Sequence, residues 1–269
     1  MRNIFEAPFI KDITDTTANM YRLGWNERNG GNISMILEEK EIEDYLDINR
    51  VIRELPLSVA FPKLAGKYFL ITGTGKYFKN IKDNPSLNIG IMRVSEDGSK
   101  MYLLWGYDDG GKFTSEITMH LGAHQQRLNT DEKHKVVMHA HPTNLISMTH
   151  VHEIDEIKFT KTLWGMCTEC IVIFPDGVSV LPWMVSSSDN LGLVSSEKFK
   201  DFRVLVWALH GMTVTGTSLD EAFGLMETVE KAADIYMHIV NCNAKRSITD
   251  DMLRQICKDF NLEVKEGWL

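Results

Sequence analysis

Apolar residues recur at helical spacing from the start of the chain. Ile10, Ile13, Met20 and Leu23 fall on one side of residues 8–27, and a period near 3.6 predicts an amphipathic helix. The pattern stops at Asn29-Gly30-Gly31-Asn32, because paired glycines break regular structure. It resumes as a short strand over 33–37. KYFLITG (67–73) reads as a second strand, ending in Gly-Thr-Gly. NIGIMRV, a turn at Glu96-Asp97-Gly98 and MYLLWG read as a hairpin. Residues 115–128 have helical spacing, and KVVMHAH (135–141) reads as a buried strand. Two helices follow at 142–151 and 155–164, then strands at 170–174 and 178–182. RVLVWALHG (203–211) reads as one strand. Ser218 with Glu221 forms a capping box that opens a long helix to Val240, and Ser247 with Asp250 repeats the signature before DMLRQICKDF.

Strands thus lie both in hairpins and between helices, which predicts a mixed sheet with helices packed on its faces. No linker, repeat or low-complexity tract divides the chain, so residues 1–269 are expected to form a single domain. With 43% hydrophobic and 25% charged residues, that length suits a sizeable core. A formal net charge of −8 argues against a general nucleic-acid binder, which needs a basic face. It leaves room for an anionic substrate, because backbone N–H groups hold phosphate without net positive charge. No secretory leader is expected from MRNIFEAPFIKDITD, and no apolar run reaches membrane-spanning length. The expectation is a cytoplasmic protein that does not span a membrane. Of four cysteines, Cys167 and Cys170 form a C-x-x-C. No second pair completes a zinc site, and the strand-like IVIF that follows is not the helix start a redox pair uses. Reduced, partly buried thiols are expected.

The chemistry concentrates in the nine histidines. His134 and His152 sit in polar surroundings and read as surface residues. His120, His124, His150 and His238 fall in predicted helices, where a partly exposed imidazole needs no function. His139, His141 and His210 differ, since all three lie at the C-terminal end of an apolar strand. In an extended strand residues i and i+2 share a face, so His139 and His141 project side by side. Three neutral imidazoles that leave a position open make the usual catalytic zinc arrangement. Spacing alone does not bring the third histidine to the other two. An amidohydrolase would need further ligands on successive strands, and nothing after His210 supplies them.

Three stretches suit phosphate: Asn29 to Asn32, Thr72 to Gly75, and Thr114-Ser115 before a predicted helix. Glycine lets the backbone approach an anion closely, and free amides at a helix start bind it. Turns are made of the same residues, so each stretch alone is weak. Glu116 opens the helix. It is either an N-terminal acid that complements the dipole or a general base beside a metal.

Taken together, GWNERNGGN (24–32), TGTGKYF (72–78), TSE (114–116), VVMHAHPTNLI (136–146), TEC (168–170), FPDGVSVLPWMV (174–185), LHG (209–211) and EAFGLMETVEKAA (221–233) carry a resemblance. Over nearly its whole length the chain resembles the class II aldolase/epimerase family, which includes fuculose-phosphate aldolase and ribulose-phosphate 4-epimerase. LPWMV and WNERNGGN point to the rhamnulose-phosphate branch. Thr74 stands where serine is expected, which keeps a hydroxyl there, and Cys167 is additional to Thr-Glu-Cys.

The resemblance implies a three-layer α/β/α domain with a mixed, mostly antiparallel central sheet covered by helices on both faces. It implies one Zn2+ per subunit on His139, His141 and His210, and Glu116 as catalytic acid/base. Asn29, Gly31, Asn32, Thr74, Gly75, Thr114 and Ser115 fall on its phosphate-binding loops. Glu169 matches a second acid that reaches a neighbouring subunit's site, in a homotetramer with active sites at subunit interfaces. The implied reaction is reversible retro-aldol cleavage of L-rhamnulose 1-phosphate to dihydroxyacetone phosphate and L-lactaldehyde, through a metal-stabilised enediolate. The same sites would serve a fuculose-phosphate aldolase or a 4-epimerase. A non-catalytic, adducin-like interaction module would not need the three histidines and Glu116.

Overall fold

The computed structural model describes every residue except Lys245. In chain order the first half runs α1 (Pro8–Arg22), β1 (Asn32–Leu37), α2 (Glu39–Ile42), β2 (Arg53–Pro56), β3 (Tyr68–Thr72), α3 (Phe78–Ile81), α4 (Pro85–Asn88), β4 (Ile89–Val94), β5 (Lys100–Gly106) and α5 (Ile117–Arg127). The second half runs β6 (Val136–Ala140), α6 (Thr143–Val151), α7 (Glu156–Trp164), α8 (Thr168–Ile173), β7 (Val178–Leu181), α9 (Asp189–Lys198), β8 (Val204–Trp207), β9 (Gly211–Gly216), α10 (Leu219–Ile239) and α11 (Asp250–Phe260).

The strands form one sheet in the order β2-β5-β4-β3-β1-β6-β9-β8-β7. Every pairing is antiparallel except β7 with β8, so the sheet is mixed and mostly antiparallel, as expected. Alternation along each strand sorts its residues between two layers. On β6, Val136, Met138 and Ala140 join the large core with α1, α6, α7 and α10. Val137 points the other way, against Met119 and Ala123 of α5 and Leu191 of α9. On β1, Ile33, Met35 and Leu37 join the large core, while Ile36 packs with Ile117 and Leu121 of α5. The result is three layers, with β1 and β6 at the sheet centre and α5 laid across one face.

Several sequence expectations need correction. Residues 170–174 are not a strand but lie largely in α8, whose N-cap is Cys167. IVIF is apolar on all sides, so its period cannot separate strand from helix. The C-x-x-C therefore does stand at a helix start. Burial nevertheless pushes the Cys170 thiol up to about 12, and the Glu169 carboxylate raises Cys167, so neither is an activated thiolate. Residues 203–211 are not one strand: β8 ends at Trp207, Leu209 takes a left-handed φ of 64°, and β9 starts at Gly211. The first helix ends at Arg22 rather than 27, because Gly24 turns the chain at φ 79°. The cap of α11 is Thr249, which accepts from Met252 N–H at 3.4 Å, not Ser247.

Candidate active site and metal centre

β6 ends at Ala140, and His141 continues one residue beyond it, so His139 and His141 emerge on the same face at the sheet's end. His210 arrives from the β8–β9 connection. There the strained Leu209 is held by its N–H donating to Thr149 Oγ1 at 3.0 Å, and His210 N–H closes a turn on the Trp207 carbonyl at 3.1 Å. The three imidazoles converge. One ring nitrogen from each lies within 4.8 Å of the other two, and the three pairs of ring centroids are each 5.1 Å apart. Trp207 forms a wall, stacked on His210 at 4.9 Å and 27°. Its own Nε1–H is satisfied by Ser195 Oγ at 2.9 Å.

Hydrogen bonds assign the tautomers. His139 Nδ1 lies 2.8 Å from the Met212 carbonyl oxygen, which only accepts, so Nδ1 carries the proton. His139 Nε2 is then a bare lone pair, buried and without a hydrogen-bond partner. His141 Nδ1 donates in the same way to Glu27 Oε1 at 2.9 Å. Such outer carboxylate and carbonyl partners commonly orient metal-binding imidazoles. Burial first, then the neighbouring His141, push His139 well below the usual imidazole range and His210 down to about 4. Both are therefore neutral, the form that ligates. A buried acceptor without a donor is costly, and a divalent cation bound by the three nitrogens would remove that cost. The residues fit a metal.

Glu116 stands at the N-terminus of α5, 8% exposed. Its Oε2 accepts from Asn32 Nδ2 at 2.9 Å and lies 3.6 Å from His139 Nε2. Burial raises its pKa, opposed by the Asn32 hydrogen bond. A carboxyl held in this way is suited to exchanging protons with a neighbouring carbon acid.

The glycine-rich stretches meet beside the histidines. Thr74 N–H donates to the Lys112 carbonyl and Thr114 N–H to the Thr72 carbonyl, both at 3.0 Å, so the two loops are zipped together. Gly31 has a φ of 75°, and a Cβ there would lie 2.7 Å from the His139 carbonyl oxygen. A Cβ on Gly30 would meet the His141 ring at 2.8 Å. The glycines thus allow the loop to lie against the histidines.

Asn29, Gly31, Asn32, Thr74, Gly75, Thr114, Ser115, Glu116, His139, His141 and His210 all line one cavity of about 180 Å³. Among the described residues its lining has no lysine or arginine, so an anion there would be held by backbone N–H groups, hydroxyls and amides. Asn32 lines the cavity, but its side chain is engaged by Glu116 and His120. Glu169 is not brought to this cavity within one chain. It lines a separate, larger hollow with Trp25, Cys167 and Asp234.

Sequence reasoning missed Ser186 and Ser187, which also line the cavity. Ser187 Oγ lies 2.9 Å from Ser115 Oγ, and the Ser186-Ser187-Ser188 run was the only signal. It also misplaced three histidines. His120, His124 and His134 are buried, not partly exposed or on the surface.

Residues 11–237 match the family described as Class II Aldolase and Adducin N-terminal domain. The chain belongs to this family. Among similar members, the rhamnulose-1-phosphate aldolase of Listeria monocytogenes is 50% identical over 269 residues, covering 100% of this chain and 98% of its own. The rhamnulose-1-phosphate aldolase of Enterococcus faecalis is 46% identical, covering 99% of this chain and 96% of its own. A crystal structure of a sugar-phosphate aldolase from Thermotoga maritima superposes with a TM-score of 0.76 at 28% identity, over 88% of this chain and 96% of that one. The family accounts for the three-layer fold and for an aldolase's metal dependence, and a member of this kind is a lyase.

Proposed function

We propose that the protein reversibly cleaves L-rhamnulose 1-phosphate to dihydroxyacetone phosphate and L-lactaldehyde, with zinc held by His139, His141 and His210, as a step of rhamnose degradation. The observation that carries this reading is the convergence of three imidazoles, a buried carboxyl and the glycine-rich loops on one cavity, in a chain half identical to a rhamnulose-1-phosphate aldolase.

Cleaving C3–C4 turns C4 into the aldehyde carbon as its hydroxyl gives up its proton to solvent, and leaves the bonding pair as a carbanion at C3 of the dihydroxyacetone-phosphate fragment. Bound at the three histidines, the cation would supply Lewis-acid stabilisation of the charge that develops on the substrate's oxygens. Among the described residues the cavity lining offers no lysine for a Schiff base. Glu116 returns a proton to C3 in cleavage and removes it in condensation. Asn29, Gly31, Asn32, Thr74, Gly75, Thr114 and Ser115 form the walls that hold the phosphate and fix the reacting end. Asn32 contributes from a position shared with Glu116.

This reading includes a homotetramer with active sites at subunit interfaces and Glu169 of one copy serving another copy's site. Support comes from the apolar residues Trp183, 63% exposed, and Val185, 62% exposed, directly before the cavity-lining Ser186 and Ser187. Among the described residues no helix is long and apolar enough to cross a membrane. A charged sugar phosphate does not cross a bilayer unaided, so the reading belongs to the cytoplasm.

The test is a coupled assay for dihydroxyacetone phosphate released from L-rhamnulose 1-phosphate or L-fuculose 1-phosphate, with and without a chelator. Chelator-sensitive release that favours rhamnulose phosphate is the expected result. Preference for fuculose phosphate would correct the substrate and keep the chemistry. No release from either by cation-loaded protein would overturn the reading.

A further inference from the structure

A buried row of polar groups runs from Glu116 away from the cavity, and the mechanism above does not use it. Glu116, His120 and His124 recur every fourth residue along α5, whereas Asn32 and Ser34 alternate on β1 and face them. Four residues of helix rise about 6 Å and two residues of strand about 6.7 Å. The two stripes therefore keep step, and each strand group falls between two helix groups. Asn32 bridges Glu116 and His120. Ser34 Oγ lies 2.7 Å from His120 Nδ1 and 2.7 Å from His124 Nε2, and His124 Nδ1 lies 2.8 Å from His134 Nε2. None of these residues is more than 7% exposed except Glu116 at 8%.

The direction of every bond follows from one end. The Asn32 amide nitrogen donates to Glu116 Oε2, and the Asn32 carbonyl oxygen faces His120 Nε2. His120 Nε2 must then carry the proton that Asn32 accepts. The other ring nitrogen of a neutral imidazole is an acceptor, so Ser34 donates to His120 Nδ1. Ser34 Oγ in turn accepts from His124 Nε2–H, and His124 Nδ1 accepts from His134 Nε2–H. All five donors point toward Glu116 and no link conflicts. The chain requires neutral rings. Burial supplies that condition, pushing His120 and His134 down to about 3 and His124 well below the usual range. A carboxamide passes orientation along such a chain but does not relay protons as an imidazole does. The row therefore sets geometry and does not conduct.

We infer that His120 is a positioning residue for Glu116, acting through Asn32, and that Ser34, His124 and His134 lock the tautomer it needs. The inference rests on Glu116 being the proton-exchanging group. Without the His120 donor, the buried Asn32 carbonyl oxygen loses its partner, and Glu116 alone holds the carboxamide. A carboxamide tethered at one end only would let the carboxylate swing from its place above the histidines.

The decisive experiment follows exchange of the C3 proton of dihydroxyacetone phosphate with D2O, by proton NMR, on cation-loaded protein. Bound cation and melting temperature are measured on the same preparations. His120→Phe should slow exchange about 10- to 100-fold, with KM for dihydroxyacetone phosphate within about twofold of wild type and cation content unchanged. His120→Gln, whose amide can donate from the place of Nε2, should recover most of the rate. Ser34→Ala, a smaller change that covers the case of a misfolded His120→Phe, should lose about 3- to 10-fold. A folded Ser34→Ala or His120→Phe that exchanges at the wild-type rate would overturn the inference and leave the reading of Glu116 standing. Equal loss in His120→Phe and His120→Gln would also overturn it, pointing to packing alone. Wild-type protein that does not exchange the proton would overturn both.

Discussion

Replacing His134 by glutamine tests whether the buried histidine row is neutral in the fold. His134 is 3% exposed, and burial, with the nearby Arg127 guanidinium, holds its pKa down to about 3 against an ordinary 6.5. Below pH 6.5 the unfolded chain binds a proton at this residue that the folded chain refuses. Its contribution to stability is therefore complete above pH 6.5 and is lost as pH falls toward 3. From pH 7.5 to pH 5 the loss comes to about 2 kcal/mol at 1.36 kcal/mol per pKa unit, a large part of the roughly 5–15 kcal/mol that holds a domain together.

Glutamine keeps a donor within reach of His124 but does not titrate. It should cost about 1 kcal/mol at pH 7.5 through imperfect packing and hydrogen bonding. At pH 5 the variant should be about 1 kcal/mol more stable than wild type, with the two stability curves crossing at roughly pH 6. Urea unfolding followed by tryptophan fluorescence measures this. It should use chelator-treated protein at one fixed concentration, since cation binding and assembly also shift stability. The difference between the two curves cancels the titration of groups they share. A difference that stays constant from pH 7.5 to pH 5 would mean that His134 is protonated in the fold, and the neutral row would fall with it.

Other expectations concern the site and its supports. Chelation should lower the melting temperature, and His141→Ala should leave a folded protein without bound cation or activity, read by metal analysis and by the coupled assay. Glu230 of α10 accepts from the backbone N–H groups of Asn144 and Leu145 at 3.0 and 2.9 Å, where α6 has no side-chain cap of its own. Glu230→Ala should therefore cost about 2–4 kcal/mol in urea unfolding; a loss below about 0.5 kcal/mol would show that water caps the helix equally well. Gly31→Ala combines a φ of 75° with collision against Asn26 and the His139 carbonyl. It should cost about 1–3 kcal/mol and weaken cation binding, which isothermal titration would detect.

Most elements were legible because their patterns were one-sided. The apolar stripe of α1 has one helical period, and the turn at Glu96-Asp97-Gly98 marks β4 and β5 as a hairpin. α8 was read as a strand because a short apolar run buried on most sides carries no period. β9 was merged with β8 because nothing in Ala208-Leu209-His210 signals a left-handed residue. Leu209 pays that conformational cost because its backbone is tied to Thr149, a contact sixty residues distant. Among the site residues, His139 and His141 were readable from their spacing on one strand. His120, His124 and His134 were not: an i, i+4 histidine pair suits an exposed helix face as well as a buried one.

The sequence alone determined what is local in this protein: which segments of clear period are helix or strand, where glycines let the backbone approach an anion, and which imidazoles stand at strand ends. Those follow from the reach of a few residues and the periods of regular structure. Tertiary structure decided what depends on distant segments meeting. It brought a ring nitrogen of His210 within 4.8 Å of ring nitrogens of His139 and His141, and zipped the loops at 72–75 and 112–115 into one wall. It also laid α5 over β1 so that a row of histidines became buried and neutral. A side chain's solvation and charge state are properties of its surroundings, and those are set by residues far along the chain.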